Sequence, residues 1–144
     1  MTIRSIFVVT LSLAAFSQLY AHTGATGVVK ERMDNFKQSK ASMKAIKTAL
    51  RASDFDTIAS EASSINTWAN HLVEHFPEGS NPPPSEALGR IWEEFDQFKN
   101  RAGAQIDASS QLRAAAENRD IDASNQRFSD LAQSCKACHD DYRK

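Results

Sequence analysis

An excess of charge of either sign is missing from this chain: 17 Lys+Arg stand against 18 Asp+Glu in 144 residues. Nucleic-acid binders usually carry a basic balance, so that class is set aside. Cysteine is nearly absent, and two are too few for a disulfide-stapled scaffold. Five glycines and four prolines fall short of the turns an all-β protein needs. An apolar fraction of 41% is too high for a disordered chain. What survives these exclusions is one small helical domain, in keeping with the length.

Residues 1–21, MTIRSIFVVTLSLAAFSQLYA, lack acid altogether and carry one base, Arg4. An apolar run from Ile6 to Phe16 follows, then small residues ending at Ala21. This is the layout of a secretory signal peptide. A run of about eleven residues is short for a membrane span, which needs about 20. No later segment is apolar enough to span. The expected mature domain is therefore 22–144, with sixteen basic against eighteen acidic residues. Two free thiols are unusual in an oxidising compartment, so both need a covalent fate.

Helical periodicity runs through the rest. A first segment, near 26–51, lines up Val29, Met33, Phe36, Met43, Ile46 and Leu50, with Lys37, Lys40, Lys44 and Lys47 mostly off that stripe. A second, near 54–76, places Phe55, Ile58, Ala62, Ile65, Ala69, Leu72 and Phe76 at steps of three and four, with Asp54 or Ser53 as its cap. The stretch PEGSNPPPS at 77–85 breaks the pattern. Ser85 is then expected to cap a third segment, 86–118, striped by Leu88, Ile91, Trp92, Phe95, Phe98, Ala102, Ile106 and Leu112. A fourth, 122–142, starts at Asp120 or Asp122 and carries Ile121, Ser124, Phe128, Leu131, Cys135, Cys138 and Tyr142. Four long helices with short connections predict an all-α, antiparallel, up-down-up-down four-helix bundle.

The chemistry lies in Cys135-Lys136-Ala137-Cys138-His139. C-x-x-C-H is the attachment sequence of c-type haem. Thiols three apart on a helix share a face and can each add to one vinyl group, and a histidine four after the first can reach the iron. A redox dithiol normally accompanies a βαβ pattern, which is not seen. A Cys₂His₂ zinc site with His71 and His75 is formally available, but two exposed histidines are the simpler reading. A disulfide within the motif would strain the helix.

With that motif at its extreme C-terminus, the chain resembles the cytochrome c′ family, the class II c-type cytochromes. The ending CKACHDDYRK carries the resemblance, as do Arg32 with Phe36 four later, the pair Met43-Lys44, and Ile91-Trp92 with Phe98 after the proline-rich loop. The resemblance implies a periplasmic bundle, usually a homodimer formed through the first two helices, with one covalent haem c per chain and five-coordinate high-spin iron. It implies His139 below the iron and Phe36 above it, Arg32 near a propionate, Arg143 by the proximal face, and Glu86 and Ala87 opening the third helix at the haem edge. Low-spin relatives place a methionine where Phe36 stands. Met33 is expected to border the haem, and Met43 is the other methionine to follow. Trp68 is the surface-apolar candidate for the dimer contact.

Two functions compete: electron transfer with an unidentified redox partner, or capture of nitric oxide or carbon monoxide at an open iron. No residue set for a peroxidase is evident, and no enzymatic activity is expected.

Overall fold

The computed structural model describes residues 24–144; the expected signal peptide lies outside the described residues. The helices are α1 (Gly27–Ala52), α2 (Phe55–His71), the one-turn α3 (Arg90–Glu93), α4 (Phe95–Glu117) and α5 (Ile121–Tyr142). Helix α1 packs on α2 and α5, and α4 packs on α2 and α5. The four long helices thus form the expected bundle.

Both tight connections use one device. Ser53 (φ 51°) ends α1 and Arg119 (φ 55°) ends α4, each in the left-handed conformation that closes a helix C-terminus. The next residue is an aspartate that caps the following helix. Asp54 accepts from the Thr57 amide at 3.1 Å, and Asp120 from the Ala123 amide at 2.9 Å. Ser53 therefore closes α1 and does not cap α2.

Three expectations are corrected. The second segment leaves the α-helix at His71, tightens to a 3₁₀ turn over Leu72–His75, and turns out at Phe76 (φ −123°), since a residue before proline is pushed from helical backbone. The third segment is not one helix from 86, and Ser85 does not cap it. The Leu88 amide donates to Tyr142 O at 3.0 Å and the Lys144 amide to Glu86 O at 2.9 Å, so 86–88 pairs with the C-terminus around an Ala87–Arg143 bridge. Helix begins only at Arg90, breaks at Glu94 and resumes at Phe95. On α1, Met33 is off the buried stripe, 41% exposed, and Arg32 turns inward in its place.

The core falls into two clusters. One is aliphatic: Ile46, Leu50, Ile58, Ile65, Leu112 and Leu131 with small alanines. The other is aromatic: Trp68, Phe76, Phe98 and Tyr142 with Leu72 and Ile91. Each fully buried Leu, Ile or Phe contributes about 1.5–3 kcal/mol. Asn66 ties α2 to α4 by donating to Ile106 O at 2.9 Å and to Ser109 Oγ at 3.0 Å.

Candidate functional site

Cys135 and Cys138 lie on the inward side of α5, both half-buried and free. Their neighbourhoods differ: Cys135 packs on the aliphatic cluster and Cys138 on the aromatic one. Burial pushes both thiols up, Cys138 to about 11 with help from the neighbouring Cys135. Desolvation, then the Arg143 guanidinium, push the His139 imidazole below its ordinary value, against the opposing pull of Asp140. The imidazole is thus neutral at pH 7, the form that donates a lone pair to a metal.

Phe36, from α1, stands across from His139 with ring centroids 6.4 Å apart. Behind it, Trp68 packs edge-on at 5.5 Å and Phe76 at 6.4 Å. The series continues through Phe76–Phe98 at 4.8 Å and Phe98–Tyr142 at 5.3 Å. Ala87 and Cys138 touch the same cluster. At its edge, Arg143 Nε donates to Glu86 at 2.6 Å. The structure therefore gathers Phe36, Cys138, His139, Glu86, Ala87 and Arg143 at one end of the bundle. Glu86 and Ala87 reach it as an extended segment, not as the start of a helix.

Met33 faces solvent and Met43 packs on the aliphatic cluster. His71 pairs with Glu74, while His75 packs edge-on against Trp68 with ring centroids 4.9 Å apart. Among the described residues, no group of three or more His, Cys, Asp or Glu is placed to hold a metal ion. Trp68 is 7% exposed, so it is a core residue and not the surface candidate for a dimer contact. Both flanks of α2 are covered by neighbouring helices, which buries Trp68 as well as Ala69.

Arg32 is 2% exposed. It donates to Ser80 Oγ at 2.8 Å, Ser85 Oγ at 2.7 Å, His75 O at 3.2 Å and Ser80 O, and its guanidinium lies 4.4 Å over the Phe76 ring. These contacts clamp the proline-rich loop onto α1. All are neutral, whereas buried charges are normally paired; no carboxylate among the described residues forms an ion pair with this cation. Beside Phe36, the buried Trp68 Nε1–H has no hydrogen-bond partner. An uncompensated cation, an orphaned donor, two thiols, a neutral imidazole and an aromatic wall fit a planar group with vinyls, a metal and carboxylates. Haem is such a group.

The cytochrome c′ family profile matches residues 27–143. The chain belongs to the cytochrome c′ family. A cytochrome c-556 of Agrobacterium tumefaciens (strain II Chrys) is 31% identical over 120 residues, covering 81% of this chain and 97% of that one. A cytochrome c′ of Rhodospirillum rubrum is 34% identical over 86 residues, covering 59% of this chain but only 58% of that protein. Among solved structures, a nitric oxide complex of a mutant cytochrome c prime from Alcaligenes xylosoxidans superimposes with a TM-score of 0.73 at 28% identity, covering 81% of this chain and 93% of that one.

Cytochrome c′ proteins carry covalently attached haem c, and Cys135 and Cys138 stand in the matching C-x-x-C-H sequence. The chain is thus a haem protein of this family. Sequence reasoning missed Ser80 and gave two other residues at this end a different role: Ser85, which with Ser80 holds Arg32, and the buried Trp68. The serines lie 48 and 53 positions from Arg32, and no local pattern links them.

Proposed function

We propose that the chain is a periplasmic electron carrier, exported by residues 1–21 and folded over 22–144. Haem c supplies reversible one-electron chemistry when bound. Cys135 and Cys138 hold it covalently at the junction of the two core clusters. His139 would supply a nitrogen ligand to the haem iron, and Arg143, held by Glu86, would bias the charge around that imidazole. Arg32 answers a propionate while anchoring the loop. Phe36, across from His139, offers no ligating atom, so it would wall the haem without binding its iron, as expected of a five-coordinate, high-spin site. The observation that carries this reading is the Phe36–His139 pair facing across 6.4 Å, with Met33 turned to solvent and Met43 packed on the aliphatic cluster.

A second reading, capture of nitric oxide or carbon monoxide, draws support from the same apolar wall. The Alcaligenes protein of like fold has been solved as a nitric oxide complex. Phe36 would exclude water and polar ligands, admit small neutral gases, and slow their entry because its ring must swing aside. Stopped-flow mixing of the ferrous protein with both gases separates the readings. Binding at micromolar gas favours capture; no binding leaves electron transfer.

Self-association through α1 and α2 is part of the proposal, without Trp68 as a contact; sedimentation at micromolar protein tests it. No helix among the described residues is long and apolar enough to cross a membrane.

A further inference from the structure

The outward side of α1 carries a pattern that the haem site does not use. Met33, Lys37, Lys40, Lys44, Lys47 and Arg51 step by four, three, four, three and four, and all are exposed. At 100° per residue they fall within an arc of about 80° and run about 27 Å along the helix. No acidic residue occurs anywhere from Asn35 to Ser53. None of the five cations has a carboxylate partner among the described residues. By contrast Lys30, Lys99, Arg113 and Arg127 each lie within 4.0 Å of one. The stripe is concealed in the overall balance, because residues 22–144 hold more acid than base.

We propose that this stripe is the docking surface for an acidic protein partner. Charge complementarity argues for it. Five unneutralised like charges in a row cost self-repulsion, and a row of carboxylates on a partner relieves it while steering the approach. Met33, the one large apolar side chain left exposed among the described residues, sits at the end of the row nearest Phe36. An apolar contact there, rimmed by cations, brings the partner up beside the aromatic cluster. That the partner exchanges electrons rests on the function proposed above; the docking itself does not. A second copy of this chain is a poor occupant of the stripe itself, because a two-fold contact there sets lysine against lysine, so the self-association proposed above would have to use other parts of α1 and α2. A lipid surface is a poorer match, because an interfacial helix needs a continuous apolar face, and here Met33 stands alone among the cations.

The test uses the haem-loaded protein and poly-L-glutamate as the acidic polypeptide, with binding followed by calorimetry at low ionic strength. It is repeated at about 0.15 M salt, where screening reaches about 8 Å. One variant combines Lys37→Gln, Lys40→Gln, Lys44→Gln and Lys47→Gln. A control combines Lys30→Gln, Lys99→Gln, Arg113→Gln and Arg127→Gln, the same charge change at paired sites. Circular dichroism confirms that both fold. The expected result is roughly tenfold weaker binding for the stripe variant and less than about twofold for the control. Equal losses in the two variants, or no binding by the native chain, overturn the proposal. So does stripe-dependent binding to phosphatidylglycerol vesicles that survives the higher salt when polyglutamate binding does not. Failure of the haem reading would show separately, as a purified chain without covalent haem mass, and would leave the binding comparison intact.

Discussion

The two ends of the bundle are built from different materials. The aliphatic end closes on itself: isoleucine, leucine and alanine fill the space between four helices, with Ile46, Ile58, Leu112 and Leu131 at 0% exposure. The aromatic end is incomplete as protein. It holds an unpaired indole N–H, a buried guanidinium with only neutral partners, and an exposed imidazole facing a phenylalanine. One end supplies folding free energy, and the other is shaped to be finished by a cofactor. Cys135 and Cys138 sit on α5 where the two meet, so the covalent bonds join the cofactor to the closed end as well.

The largest expected effect separates the two ends outright. Cys135→Ala with Cys138→Ala should abolish covalent haem while leaving most far-ultraviolet helix signal. Mass spectrometry and circular dichroism read the two. Loss of helix along with haem would show that the aliphatic end does not hold the fold. The reverse cut is Leu112→Ala or Leu131→Ala, expected to cost about 2–5 kcal/mol in denaturant unfolding with the haem spectrum unchanged. A shifted Soret band would mean that the ends are not separable in this way.

The thiols sharpen the boundary between the ends. In chain produced without haem, the folded Cys138, at about 11, holds on to its proton above the ordinary value of 9.0. Between those values the folded chain binds more protons than the unfolded one, so this contribution to stability falls as pH rises from about 9 to about 11. At pH 8 the Cys138 thiolate should be scarcer by about a hundredfold than in the unfolded chain. Alkylation by iodoacetamide should slow accordingly. Equal rates in folded and denatured chain would contradict the burial of this thiol.

Phe36→Ala should raise the carbon monoxide association rate by about tenfold, equivalent to about 1.4 kcal/mol of barrier, because the wall over the iron is removed. An unchanged rate would place the barrier elsewhere. The smallest effect belongs to the helix ends: Asp120→Ala should cost about 1 kcal/mol and leave ligand binding untouched.

Much of this contrast was legible in sequence. Each long helix announced itself by an apolar residue every third or fourth position, and C-x-x-C-H named its own chemistry. Asp54 and Asp120 stood where caps belong. What could not be read is long-range. Ser85 looked like a helix cap, yet its hydroxyl accepts from Arg32, 53 residues earlier. Glu86 and Ala87 looked helical, yet the C-terminal residues pair with their backbone. Trp68 looked like surface because a stripe one residue wide already included Ala69, and only packing on both sides of α2 buries the pair. Met33 and Arg32 exchanged places because serine hydroxyls and carbonyls from the loop draw the guanidinium inward.

The facing of Phe36 and His139 decides what the haem iron can bind. An electron paramagnetic resonance spectrum of the purified ferric protein tests it most directly. A high-spin signal from iron with one protein ligand is the predicted result. A low-spin signal, which requires a sixth ligand from Met33, Met43 or another side chain, would contradict the open face and the function built on it.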